Sequence, residues 1–248
     1  MSLTNDYKRQ LAWRAWPAIF DALPPLSGQT ILDLGCGPGD QAVELVARGA
    51  YVIGVDLNAE LLREAKSRRL AGAEFRMADL RNLPELGVMA DGLWSSFTAA
   101  YLPNLTEVLA TWARHLRPGA WIAITEVDDL FGHEPLGVRT KLLLDAYAED
   151  ALAAKRYDFH MGRKLSDYLQ RAGFTLSKVL TVEDQELAFC GPARPDVIEA
   201  WRRRFDRMKL LADFCGAEFG HVREDFLSCL TQPDHFSEAK VYCSIGIK

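Results

Sequence analysis

The chain has 248 residues, of which 49% are hydrophobic and 25% charged, and it carries a formal charge of −5 at pH 7. This is enough apolar material for one globular α/β domain with a sizeable core, and the acidic balance argues against a protein that holds nucleic acid through its backbone phosphates. A small molecule is the better expected partner, and the lack of a bilayer-spanning apolar run or an apolar leader points to the cytoplasm.

Residues 5–23 carry Tyr7, Leu11, Trp16, Ile19, Phe20 and Leu23 at roughly helical spacing, with Pro17 placed to bend or restart the helix. The apolar face of this helix either packs on a sheet edge or brings Trp13 and Trp16 over a ligand as a lid. After a Pro-rich connector, residues 30–40 read Thr-Ile-Leu-Asp-Leu-Gly-Cys-Gly-Pro-Gly-Asp, which is a short strand, a tight turn and a helix start. Gly35, Gly37 and Gly39 let the backbone turn sharply and approach a flat, polar ligand with no Cβ in the way.

The spacing of this loop bears on which nucleotide it takes. Dinucleotide folds place a third glycine one position later, where a pyrophosphate rests on the helix N-terminus, and that position here is Asp40. A carboxylate there repels a diphosphate, and Asp33 adds a second negative charge. The loop therefore favours a phosphate-free, positively charged nucleotide, a description that S-adenosylmethionine meets.

Further along, helices are expected over 41–48, 58–69 with Asn58 as cap, and 105–116. Strands are expected over 50–55, 73–77, 92–96 and 120–125, the last after the turn Arg117-Pro118-Gly119. Strands alternating with helices make a parallel sheet with right-handed crossovers. The first three strands end in Asp33, Asp56 and Asp79, and the fifth runs into Glu126 and Asp128, so these acids converge beyond the strand ends, where an open sheet binds its ligand. Asp56 sits at a separation suited to ribose hydroxyls, and Asp79 is placed to accept from an adenine amino group. The alternative is that such acids merely cap the following helices.

Taken in order over residues 31–126, the glycine loop, Val55-Asp56, Ala78-Asp79, the fourth strand and Leu116-Arg117-Pro118-Gly119 resemble the class I S-adenosylmethionine-dependent methyltransferases. The resemblance implies an α/β fold: a doubly wound, mostly parallel seven-stranded Rossmann-like sheet with inserted helices forming a lid. It implies S-adenosyl-L-methionine as cofactor and S-adenosyl-L-homocysteine as product, with Asp33 and Gly35 at the methionine end, Asp56 at the ribose, and Asp79 with Leu80 at the adenine. The cofactor-binding set implied is Asp33, Gly35, Cys36, Gly37, Gly39, Asp56, Leu57, Ala78, Asp79, Leu80, Ser95 and Phe97. Trp94-Ser95-Ser96-Phe97-Thr98 lacks the Asp/Asn-Pro-Pro-Tyr signature of amino-methylating DNA enzymes, and the chain has neither a Pro-Cys nucleophile nor the paired glutamates of arginine methyltransferases. Macromolecular acceptors are disfavoured accordingly. Residues 157–165, leading to Ala172-Gly173-Phe174, resemble the region before the sixth strand in small-molecule enzymes of the ubiquinone-biosynthesis type, the methyltransferase type 11 branch.

One domain is expected, with a helical lid at 1–28, a cofactor core at 29–135, and helical insertions at 136–160 and 193–235 over the substrate site. The second insertion reads as two helices, one with the apolar stripe Val197, Trp201, Phe205, Met208 and Ala212, while Arg202, Arg203, Arg204 and Arg207 read as its solvated face. Trp13 and Trp16 are expected to meet Trp201 and Phe205 above the cofactor. A closing strand over 241–247 is antiparallel by family analogy.

Methyl transfer is an in-line displacement at a carbon activated by a sulfonium, so the protein mainly supplies alignment at roughly 3 to 3.5 Å and a dry pocket. For a hydroxyl or protonated amine acceptor, His133 and His160 are the candidate proton acceptors, each with a structural role as the alternative, and Tyr101 is placed to orient the acceptor. His115, His221 and His235 read as surface or helix residues. The leading function is transfer of a methyl group to a small-molecule O or N acceptor, with no metal. Its alternatives are a Mg²⁺-assisted catechol-type enzyme using Asp128, Asp129, His133 and Glu134, and a catalytically silent cofactor-binding regulatory protein. The five cysteines, an odd set with no Cys-x-x-Cys pair, read as reduced and mostly buried.

Overall fold

Branched side chains on both faces of the early strands make them strands that must be covered twice. In β1 (Thr30–Leu34), Ile31 joins one apolar cluster while Leu32 and Leu34 join the other. The pattern repeats in β2 (Tyr51–Asp56) and, past the edge strand β3 (Ala73–Met77), which buries only Phe75, on the first face, in β4 (Ala90–Ser96) and β5 (Leu116–Asp128): Val52, Trp94 and Ala123 face one way, and Ile53, Leu93 and Ile122 the other. Burial on both faces is what a parallel sheet between two helical layers requires. The computed structural model describes residues 12–248, so the expected helix positions Tyr7 and Leu11 lie outside the described residues.

β6 (His133–Glu134) and β8 (Phe236–Ser237) pair in a separate short ladder, while β7 (Thr175–Val182) and β9 (Lys240–Ile247) complete the main sheet. Its order is β3-β2-β1-β4-β5-β9-β7, parallel through β5 and antiparallel at both edges of β9. This is the doubly wound, mostly parallel seven-stranded sheet that was expected. The order reverses between β1 and β4, and a crevice opens at their carboxyl ends.

β5 begins earlier than the turn at Arg117-Pro118-Gly119 implied. Ala90 pairs with Leu116, the register shifts, and Gly92 then pairs with Trp121, so the turn is absorbed as an irregularity in the ladder. Gly92 is needed for packing: a Cβ there would lie 2.1 Å from the Trp121 ring, whose Nε1–H donates to Gln29 Oε1 at 2.8 Å.

Helix α1 (Trp16–Phe20) carries Pro17 in its first turn, where a missing N–H costs nothing. Phe20 stacks on Trp94 at 4.9 Å and Trp16 tilts against the same indole at 5.8 Å, each pair adding about 0.5 to 1.5 kcal/mol beyond area burial. α2 (Asp40–Ala47) and α3 (Ala59–Ser67) cover the same face through Ala42, Leu45, Leu62 and Ala65. Asn58 caps α3 as expected, its side chain accepting from the N–H groups of Glu60 and Leu61. α4 (Leu105–Ala113) covers the opposite face, joined there by α6 (Met161–Arg171), which follows the inserted helix α5 (Val138–Ala153).

The second insertion forms three helices rather than two: α7 (Pro195–Arg207), α8 (Lys209–Cys215) and α9 (Phe219–Cys229). Val197, Trp201 and Phe205 are buried, but α7 stops at Arg207 and Met208 passes the chain into α8, so the stripe does not continue to Ala212 on one helix. Phe226 packs on Trp201 at 4.7 Å and on Phe205 at 5.1 Å. Among the described residues no helix is long and apolar enough to cross a membrane.

Candidate functional site

The loop after β1 turns because Gly35 and Gly37 adopt left-handed backbone angles, φ +82° and +51°. At Gly35 the approach is also close, since a Cβ would fall 2.0 Å from Thr98 Oγ1. Asp56, at the end of β2, fixes this loop: its Oδ2 accepts from the Gly37 N–H at 2.8 Å, and its Oδ1 accepts from the Asn58 N–H at 2.8 Å.

Asp33 is 2% exposed and its Oδ2 has no hydrogen-bond partner among the described residues. Burial, then the charges of Asp56 and Asp40, push its carboxyl from an ordinary 3.8 up to about 8. Asp40 is itself ion-paired with Arg68. Asp79 receives the Arg81 side chain on both oxygens, at 2.9 and 2.6 Å, and the hydrogen bonds from Arg81 hold its carboxyl below the usual range. It also caps a short 3-10 turn over Leu80–Asn82 while lining the crevice at the strand ends.

A cavity of about 1100 Å³ lies beyond the strand ends. Of the expected site residues, Asp33, Gly35, Cys36, Gly37, Asp56, Leu57, Asp79, Leu80, Phe97 and Tyr101 line it. Gly39, Ala78, Ser95, His133 and His160 do not. Gly39 is the residue before α2 and lies against Phe75. Ala78 packs on the other face of the sheet, its N–H donating to the Asp56 carbonyl. Ser95 is fully buried with its hydroxyl donating to the Leu34 carbonyl at 2.8 Å, and strand alternation gives the cavity Ser96 instead.

The histidines are placed elsewhere. His133 is 1% exposed, its Nδ1 3.0 Å from His235 Nε2 and its ring against Trp201 and Phe226. Burial, then His235, press its pKa down to about 3. His160 stands at the start of α6 with its backbone N–H donating to Asp158 Oδ1. His115 and His235, read as surface or helix residues, are buried. None of the five histidines lines the cavity. The hard ligands of the 128–134 loop also diverge: Asp128 binds Arg163 at 2.7 Å, Glu134 binds Lys141, and His133 faces His235. Among the described residues no three potential metal ligands converge.

The aromatic lid is not assembled as expected. Trp16 lines the cavity and meets Phe97 edge-on at 6.1 Å, but Trp13, Trp201 and Phe205 are core residues, with Trp201 Nε1–H donating to the Glu186 carbonyl at 2.9 Å. Charge joins the two segments instead. Arg14 pairs with Asp184 at 2.9 Å and Glu186 at 3.4 Å, and Arg204 donates to Glu186 at 2.6 Å. Both acids have side chains with no exposed surface, so each needs a cation beside it. That requirement turns Arg204 inward from the face on which Arg202 and Arg203 pair with Glu199. The sequence carries no clear signal for this tie, because Asp184 and Glu186 stand in the polar run Glu183-Asp184-Gln185-Glu186, which reads as a solvated turn.

A family profile described as a methyltransferase domain matches residues 31–119. Nocamycin O-methyltransferase of Saccharothrix syringae is 31% identical over 194 residues, covering 68% of this chain and 67% of that protein. The chain belongs to the class I S-adenosylmethionine-dependent methyltransferases. Trans-aconitate 2-methyltransferase of Azoarcus sp. is 37% identical over 113 residues, and there the match spans less than half the relative's length, 44%. The Haemonchus contortus phosphoethanolamine N-methyltransferase 2 structure, solved with phosphomonomethylethanolamine and S-adenosylhomocysteine, shares the fold at TM-score 0.58 and 19% identity, over 98% of this chain and 53% of that one. S-adenosylmethionine is the cofactor of this family. The cavity suits it: Asp33 Oδ2 and Gln41 Oε1, on lining residues, are buried acceptors without donors among the described residues, and the turn beside them carries no Cβ at Gly35 or Gly37.

Proposed function

We propose that this methyltransferase moves a methyl group to an oxygen or nitrogen of a small molecule by in-line displacement. The observation that carries the reading is one cavity whose wall holds two chemically different groups of residues: the glycine loop with Asp33 and Asp56, and an aromatic cluster of Tyr101, Tyr147, Tyr157 and Phe159. When bound, S-adenosylmethionine supplies an electrophilic methyl carbon on a sulfonium.

The chain's own residues do the rest. Asp33 Oδ2 and Gln41 Oε1 accept from the α-ammonium, and the Trp16 indole N–H, buried and without an acceptor among the described residues, donates to the α-carboxylate. Asp56 accepts from the ribose hydroxyls while it holds the Gly37 N–H, and Asp79 shares its carboxylate between Arg81 and the adenine amino group. Tyr101 orients the acceptor, and the aromatic walls around it exclude water from the line of attack. With no histidine on the cavity, the acceptor arrives already deprotonated or releases its proton to water. The relatives named as O-methyltransferases support oxygen as the attacking atom.

The test is incubation of the purified protein with methyl-labelled S-adenosylmethionine and a panel of carboxylic acids, phenols, alcohols and amines. Labelled product with release of S-adenosylhomocysteine is expected. Binding of NAD with no binding of S-adenosylmethionine in calorimetry would overturn the reading.

A further inference from the structure

The charges on the cavity wall are separated by sign. Asp33, Asp40 and Asp56 gather around the glycine loop, and Asp79 faces Arg81 beside them. Among the described residues, the charged side chains that the N-terminal segment and the inserted helices bring to the wall are all cations: Arg14, Arg156, Arg204, Arg207 and Lys209. Asp184 and Glu186, which balance Arg14 and Arg204, do not line the cavity and stand behind them. A ligand beside Arg14 or Arg204 therefore meets guanidinium groups whose acids Asp184 and Glu186 lie off the cavity wall.

Arg204 is the best placed of these. Glu186 fixes its position by taking one terminal nitrogen at 2.6 Å, and the guanidinium lies 4.9 Å from the Trp201 ring centre, so little rotamer freedom remains to be lost on binding. Its Nε–H is buried and has no acceptor among the described residues. A guanidinium has five N–H donors, and one carboxylate does not exhaust them. Tyr101 and Tyr157, ring centres 4.7 Å apart, lie within electrostatic reach of the same group and bring two hydroxyls to this end of the cavity. Tyr147, Phe159 and Met208 supply apolar wall.

We infer that the acceptor is an organic acid with an apolar body, its carboxylate seated on Arg204 beside Tyr101 and Tyr157. This assignment rests on the methyl-transfer reading and names the class of its substrate. The planar fork of a single guanidinium matches the two oxygens of a carboxylate, and the cationic end repels protonated amines. Free volume is ample, because about 1100 Å³ exceeds what one nucleoside-sized cofactor fills.

The experiment is a calorimetric titration of the full chain with 3-phenylpropionate and with its uncharged counterpart 3-phenylpropionamide, each with and without S-adenosylhomocysteine. The acid should bind about tenfold or more tightly than the amide. Arg204→Gln should remove that preference while leaving amide binding unchanged, and Arg204→Lys should restore it only in part. Equal affinity for acid and amide, no binding of the acid, or an Arg204→Gln protein that holds the acid as wild type does would overturn the inference. If Arg204→Gln does not fold, the acid and amide comparison on the unmodified chain decides alone. Failure of S-adenosylhomocysteine to bind counts against the methyl-transfer reading separately, because the cofactor-free titrations still judge the acid site.

Discussion

Asp56 and Gly37 are joined side chain to backbone, the carboxylate oxygen Oδ2 accepting the glycine N–H at 2.8 Å, so the end of β2 holds the turn that follows β1 in shape. Through its other oxygen the same carboxylate holds Asn58 at the start of α3. One acid therefore organises the loop and also lines the cavity.

Replacement of Asp56 by alanine should weaken S-adenosylhomocysteine binding by about 1 to 3 kcal/mol, through loss of charge-assisted hydrogen bonds and of the loop's fixed shape. Asp56→Asn, which keeps an acceptor for the loop, should lose less. Calorimetry on both variants checks this, and unchanged affinity in the alanine variant removes Asp56 from the ribose site.

Gly35→Ala faces two obstacles, a backbone φ of +82° and a Cβ 2.0 Å from Thr98 Oγ1. A loss of about 1 to 3 kcal/mol in unfolding free energy is expected, together with loss of cofactor binding. Adding Thr98→Ala relieves the contact but not the backbone strain, so denaturant melts of the double variant should recover only part of the stability. Full recovery would show that the left-handed turn carries no strain.

The pH dependence follows from two buried carboxyls. Asp33 is pushed up to about 8. Glu126 is pushed from 4.5 up to about 7 by burial, against hydrogen bonds it accepts from the N–H groups of Ala100 and Val127. Between their ordinary and raised values the folded protein keeps protons that the unfolded chain has released. Their contribution to stability is therefore complete below about pH 4, declines as pH rises through 7 and 8, and stays level above. In Asp33→Asn part of that decline should vanish, so the variant gains on the wild type between about pH 5 and about pH 8 in cofactor-free denaturant melts. Cofactor binding runs the other way: a ligand ammonium restores the ionised Asp33, so affinity should rise with pH and binding should release protons. Calorimetry in buffers of different ionisation heat reads that release, and a parallel pH course for both proteins would show that Asp33 is already ionised.

Methyl transfer should survive exhaustive chelation, because the hard ligands at 128–134 are directed to Arg163, His235 and Lys141 rather than to one another. Activity abolished by EDTA and restored by Mg²⁺ would reverse this expectation.

The cofactor half was the more legible half in the sequence, for a local reason. The strand, glycine turn and acid at the end of the next strand are each written in a few consecutive residues, and hydrogen bonding between them follows from their order along the sheet. Ser95 was misplaced because alternation leaves only one residue of the pair Ser95-Ser96 on the cavity, and the pleat's phase is not visible until the register is known. The insertions were less legible. Their helices follow the apolar period, but whether Trp201 faces a ligand or a second core depends on Phe226 and His133, which come from α9 and β6. Arg204 was hidden for the same reason: a run of arginines reads as a solvated face until a buried Glu186 is brought beside one of them.

The position of β9 has a consequence for synthesis of the chain. Because β9 lies between β5 and β7, β7 has no place in the sheet until residues 240–247 have left the ribosome. The four parallel pairings of the cofactor half need nothing beyond Asp128, so they are available on the order of ten seconds earlier at ordinary translation rates. During that interval β5 presents a long apolar edge with no neighbour, the kind of surface that captures other strands. A nascent chain halted before Lys240 would carry a nearly formed cofactor cradle next to an adhesive edge, which makes the C-terminal strand a safeguard of solubility as well as a part of the sheet.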